Sequence, residues 1–70
     1  MIIIETISKR IADEIKQTGL SQTEIAKRLG VKQQTISLYV LGKVLPSLDT
    51  FANLCEILDL DANEILGLKK

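Results

Sequence analysis

Few residues in this chain could perform covalent chemistry. There is no histidine, and Cys55 is the one cysteine. That rules out an internal disulfide, His-dependent acid–base or nucleophilic catalysis, and the usual zinc ligand sets. Cys55 lies in the apolar run Leu54-Cys55-Glu56-Ile57-Leu58, which reads as core and not as a reactive thiol. Asp13-Glu14 and the acidic residues of the C-terminal third fall at spacings expected of helix surfaces and caps. No catalytic residue, metal site or cofactor is expected, and an enzyme is the least favoured class. The remaining chemistry is hydrogen-bonded recognition. Gln33 and Gln34 are adjacent side chains whose amides both donate and accept, which suits an adenine edge or, by donation alone, a guanine. By themselves, two glutamines on a helix are ordinary solvated residues. Their meaning depends on what positions them.

The positioning elements can be read from helix punctuation. Ile4, Ile7, Ile11 and Ile15 recur every three or four residues and define one apolar stripe, so a first helix is expected from about Glu5 to Thr18, ended by Gly19. Ser21-Gln22-Thr23-Glu24 has the form of a capping box and opens a second helix, Gln22 to Leu29, which buries Ile25, Ala26 and Leu29 and ends at Gly30. A third helix is expected from Lys32 or Gln33 to about Leu41, stopped by Gly42. Pro46 breaks the chain, and Ser47 is placed to cap a fourth helix, Leu48 to Leu58, with the stripe Leu48, Phe51, Leu54, Cys55 and Leu58. Asp61-Ala62-Asn63-Glu64 is a second capping box and opens a short fifth helix closed by Gly67. The fold class is therefore all-α, with five short helices in a single domain covering residues 1–70.

The second and third helices are joined by about three residues. Ala26 is small where the two helices must approach, Gly30 supplies a positive φ, Val31 plugs the corner, and Ile36 anchors the third helix to the same core. These are the physical requirements of a helix-turn-helix, in which the second helix of the pair is held out to enter a major groove.

At these residues the chain resembles the lambda-repressor-like (Xre/Cro-type) helix-turn-helix domains. The resemblance runs from about Ile7 to Gly67 and is carried by GLSQTEIAKRLGV, the TIS of the third helix, the GK after it, Pro46-Ser47 and ILDLDANEILG. It implies five helices, double-stranded DNA as partner, recognition by the third helix, and a homodimer on a palindromic operator. A repressor function is also implied. Geometry and resemblance together make Gln33, Gln34, Ser37 and Leu38 the base-contact candidates. Leu38 cannot hydrogen-bond, so what it could read is a thymine methyl. Lys32, Thr35, Lys43 and the Gln22 amide at a helix N-terminus are the phosphate-contact candidates. Many relatives carry an Arg late in the first helix and a Glu late in the third. Here those positions are Ile15 and Val40, so an apolar contact is expected in place of an ion pair.

Net charge is zero, which by itself argues against a nucleic-acid partner, but the charge is polarised. Met1 to Pro46 holds seven basic and four acidic residues, and Ser47 to Lys70 holds two basic and five acidic. A rival reading remains, a protein-interaction module of antitoxin type. It would use the apolar surface around Leu38, Leu41, Val44 and Leu45, and of these Leu41, Val44 and Leu45 equally suit a dimer contact. Ile2-Ile3-Ile4 is either a helix extension, a staple on the core or a second association patch. Met1 to Ile4 lacks the features of a signal peptide and no run reaches membrane-span length, so the cytoplasm is the expected location. A start at Met1 and a finish in Lys69-Lys70 are compatible with an entire natural protein.

Overall fold

The computed structural model describes residues 1–68; Lys69 and Lys70, counted above in the tail charge and the chain's end, lie outside the described residues. Its five helices are α1 (Ile4–Gln17), α2 (Gln22–Leu29), α3 (Gln33–Val40), α4 (Leu48–Leu58) and α5 (Ala62–Leu66). The expected elements are all present, with ends displaced by a residue at α1 and α3. α3 stops at Val40, and Leu41 is its C-cap, donating its N–H to the Ser37 carbonyl.

The core is built where the apolar stripes of these helices meet. Ile25, Ile36 and Leu54 are fully buried and Ile65 nearly so, one each from α2, α3, α4 and α5. Ile11 and Ile15 bring α1 into the same cluster, together with Ala26, Tyr39, Phe51 and Cys55. Each fully buried aliphatic side chain stabilises the fold by about 1.5–3 kcal/mol, so these few residues dominate in a domain this small. Burial pushes the Cys55 thiol up, with the negative charge of Asp61 adding to the shift, so the sulfur stays protonated and acts as a small apolar residue. Burial also raises the Tyr39 phenol.

Three expectations need correction. Ile4 was expected to continue the α1 stripe, and Leu48 the α4 stripe, but they are 63% and 83% exposed. Each occupies the first position of its helix, one turn before the first stripe residue that reaches the core, so the stripe outruns the packing partner. Ser47 occupies the N-cap position of α4 but caps no backbone N–H. Its hydroxyl donates instead to Asp49 Oδ1 at 2.7 Å, and this bond is the main reason the Asp49 carboxyl lies below its ordinary value.

Ile15 is buried, and Val40 packs against the cluster that contains it. An Arg at position 15 alone would bury a guanidinium beside these apolar side chains with no acceptor from Val40. Ile15→Arg is therefore expected to destabilise the fold by about 3 kcal/mol or more. A thermal melt as high as that of the parent chain would disprove this.

Candidate nucleic-acid interface

The corner between α2 and α3 starts from a capped helix. Ser21 accepts the Glu24 N–H on its Oγ at 3.0 Å, fixing the first turn of α2. The return half of the expected capping box is replaced, because the Glu24 carboxylate faces Arg28 one turn on, at 3.8 Å. At the other end of α2, Gly30 adopts φ 79°, ψ 30°, a left-handed conformation that a side chain with Cβ resists. The Ala26 carbonyl then accepts both the Gly30 and Val31 N–H groups, at 2.8 and 3.0 Å. The chain leaves extended at Lys32 and enters α3 at Gln33.

This route sets which side of α3 faces outward. Ile36 and Tyr39 turn into the core, and Val40 is half-buried. Gln33, Gln34 and Leu38 are exposed and Ser37 is half-buried, so the four base-contact candidates share the outward side of one helix. No residue of α3 is charged, while Lys32 and Lys43 flank it, both exposed. Thr35 and Gln22 are half-buried.

The structure joins two residues that the sequence reading had placed separately. Gln33 Nε2 donates to Gln22 Oε1 at 2.7 Å, across eleven positions of sequence. Gln22 opens α2 and Gln33 opens α3, so the corner brings the two helix N-termini side by side. The bond orients both amides. Among the described residues the Gln22 Nε2 hydrogens, the second Gln33 Nε2 hydrogen and Gln33 Oε1 have no other partner. The only signal in the sequence was that each residue follows a helix-start position, which says nothing about their mutual approach. First-turn N–H groups of a helix lack partners within the helix, so the Gln22 backbone N–H adds a donor at the same place.

Lys43 is not part of this cluster. It follows the far end of α3, a helix about 12 Å long by its residue count. With Leu41, Val44 and Leu45 it lines a groove against α1. Leu41 is 63% exposed, Val44 43% and Leu45 42%. Sequence reading also missed the α1 side of this groove, where Glu5, Lys9, Asp13 and Lys16 project. The available signal was the i, i+4 alternation of charge along that helix.

A capped α2, a left-handed glycine, and a protruding uncharged α3 with paired glutamines at its start define a helix-turn-helix. The sequence model of the helix-turn-helix family matches residues 11–65, and the chain belongs to that family. It is 42% identical over 40 residues to the HTH-type transcriptional regulator for conjugative element SXT of Vibrio cholerae, a match covering 57% of this chain and 19% of the relative. The corresponding regulator for conjugative element pMERPH of Shewanella putrefaciens matches to the same extent. The ImmF control region 10 kDa protein of Bacillus phage phi105 is 38% identical over 53 residues, covering 76% of this chain and 59% of the relative. The chain thus spans about a fifth of the length of the element-borne regulators. No solved structure matches. DNA-binding transcription regulation is the function that the helix-turn-helix family carries, and the element-borne relatives are transcriptional regulators by name. Among the described residues no helix is long and apolar enough to cross a membrane.

Ser21→Ala removes the one side-chain cap of α2. It is expected to lower unfolding free energy by about 1 kcal/mol. Equilibrium urea denaturation would measure this, and an unchanged midpoint would show that the cap contributes nothing.

Proposed function

We propose that the protein binds a specific double-stranded DNA operator as a transcriptional repressor, with α3 in the major groove and two protomers on a palindromic site. The observation that carries this reading is the Gln22–Gln33 hydrogen bond on the outward side of the corner. In the major groove adenine offers one acceptor, N7, and one donor, the N6 amino group, whereas guanine offers two acceptors. Once Gln33 has spent one N–H on Gln22, it retains one donor and one acceptor, which matches adenine and not guanine. Gln22, with its carbonyl occupied, retains only donors, which suits a phosphate oxygen. Gln34, Ser37 and Leu38 complete the base-facing side. Lys32, Thr35 and Lys43 serve the backbone, and Lys32 neutralises charge close to the base-reading end.

Two protomers on a palindrome would place their α3 helices about 34 Å apart, one turn of DNA. The protein acts in the cytoplasm, on the nucleoid. The antitoxin-type rival is not adopted, because the relatives reported above are regulators or a phage control-region protein by name.

Selection of duplexes from a random pool is expected to return a palindrome with adenine at the position met by Gln33. Gln33→Ala should cost about 1–3 kcal/mol there. Gln22→Ala should weaken binding less but narrow the preference for adenine over guanine, since the freed Gln33 amide can then present both N–H groups. With three or four phosphates neutralised per protomer, log K of the two-protomer complex should fall with log salt at a slope of roughly −6. A pool that returns no preferred sequence would refute operator recognition. A preferred sequence bound equally well by the Gln33→Ala and Gln34→Ala proteins would refute the roles of these residues.

A further inference from the structure

The bond between Gln22 and Gln33 does more than leave the Gln33 amide one donor and one acceptor, because it also fixes which end of the amide is which. Gln33 Nε2 is held 2.7 Å from Gln22 Oε1, so the direction of Gln33 Oε1 is set before any base arrives. Gln22 is the firmer of the two, since it opens α2 and is half-buried, whereas Gln33 is exposed. An unanchored glutamine can turn its amide over and exchange acceptor for donor. Gln33 can do so only by giving up its bond to Gln22. With no charged residue in α3, no ionic contact from that helix makes up for a hydrogen bond lost there.

We propose that this anchored amide makes the protein sensitive to adenine N6-methylation: it holds its operator when the adenine met by Gln33 is unmodified and releases it when that amino group is methylated. The inference rests on the adenine reading given above and adds the regulation of that site. An adenine in a duplex uses one N6 hydrogen to pair with thymine and turns the other to the major groove, beside N7. A methyl group that leaves the base pair intact must replace the groove-facing hydrogen. Gln33 Oε1 then faces a carbon where it had a donor. A hydrogen bond sets its two heavy atoms about 2.9 Å apart, which leaves no room for a methyl group between them.

Two penalties combine on the modified base. The Oε1 acceptor loses its partner and is pressed against a methyl group where water has been displaced. Retreat is also unfavourable, because turning the amide to bring only N–H groups to N7 breaks the bond to Gln22. Guanine and N6-methyladenine are thereby rejected by one device, since neither offers a donor beside N7. Gln22 does not touch this base edge. It is a positioning residue, and what it contributes is the sharpness of the discrimination. The signal is a covalent mark on DNA, set by methyl transfer to an adenine amino group. A palindromic site presents that mark twice, once to each Gln33.

The test uses the full chain and the duplex selected from the random pool, with the adenine met by Gln33 identified as the one whose preference Gln33→Ala abolishes. That duplex is synthesised with N6-methyladenine at this position in neither, one or both half-sites. Fluorescence anisotropy at one salt concentration is expected to show Kd rising about tenfold per methylated half-site, as for a lost hydrogen bond whose acceptor stays unpaired. The Gln33→Ala protein, whose side chain ends short of the base, should bind all three duplexes equally. Gln22→Ala should shrink the ratio to about threefold, because the released amide can turn. Gln22→Glu keeps an acceptor for Gln33 Nε2 and should retain the full ratio, even though its charge weakens binding to every duplex. Circular dichroism would verify that the variants are folded. N6-methyladenine at an adenine beyond the reach of α3 should leave the parent's affinity unchanged, which separates recognition from any effect of the mark on the duplex itself. Equal affinity of the parent chain for all three duplexes would overturn the proposal, as would a penalty undiminished in Gln33→Ala. A penalty undiminished in Gln22→Ala would overturn the part assigned to Gln22. If adenine is preferred over guanine while methylation has no effect, the operator reading stands and this inference falls. A pool that returns no preferred sequence removes both.

Discussion

The Ala26 carbonyl accepts two backbone N–H groups at once, from Gly30 and Val31, while Gly30 occupies the left-handed region. That bifurcated closure turns the chain within three residues and sends α3 across α2. Everything functional depends on it. The turn requires a residue without Cβ at position 30 and a small one at position 26, where α2 and α3 approach. Ile25 and Ile36, both fully buried, then clamp the corner from inside. An eight-residue helix such as α3 has little stability in isolation, so its outward glutamines are held only as firmly as its inner face is packed.

The same corner makes recognition geometry a consequence of helix starts. α2 and α3 both begin at the outer edge, and their first residues are Gln22 and Gln33. The hydrogen bond between them converts two rotatable amides into one oriented unit, and under the proposed function this reduces the conformational entropy lost on binding a base. Polarised charge supports this arrangement from a distance. α3 itself is uncharged, with lysines confined to its flanks.

At the opposite end of α3 the surface has a different character. Leu41, Val44 and Leu45 follow the helix and stay exposed, because Gly42 turns the backbone in the left-handed region close against α1. A Cβ at Gly42 would come within 3.3 Å of Ser8 Oγ. That close approach directs the following apolar residues along the groove instead of into the core. The adjoining glutamines and this exposed apolar segment thus lie at opposite ends of one short helix.

All five helices were legible in the sequence, since capping residues, glycines and Ile/Leu periodicity are local and agree with one another. The core followed for the same reason at Ile11, Ile15, Ile25, Ile36, Phe51 and Leu54. Local signals misjudged Ile4 and Leu48, because periodicity says which side a residue faces but not whether a neighbour extends far enough to cover it. They misjudged Ser47 because a hydroxyl at an N-cap has more than one possible partner, and the Asp49 carboxylate competes with the backbone. The outward position of Gln33, Gln34, Ser37 and Leu38 could be read from helical phase once the corner was recognised. The tertiary structure alone decided that Gln22 and Gln33 touch, that Lys43 stands apart from them, and that the charged face of α1 meets the apolar segment after α3. Each depends on the angle between packed helices. That angle is set by side-chain interlocking among residues far apart in the chain, which no local pattern encodes.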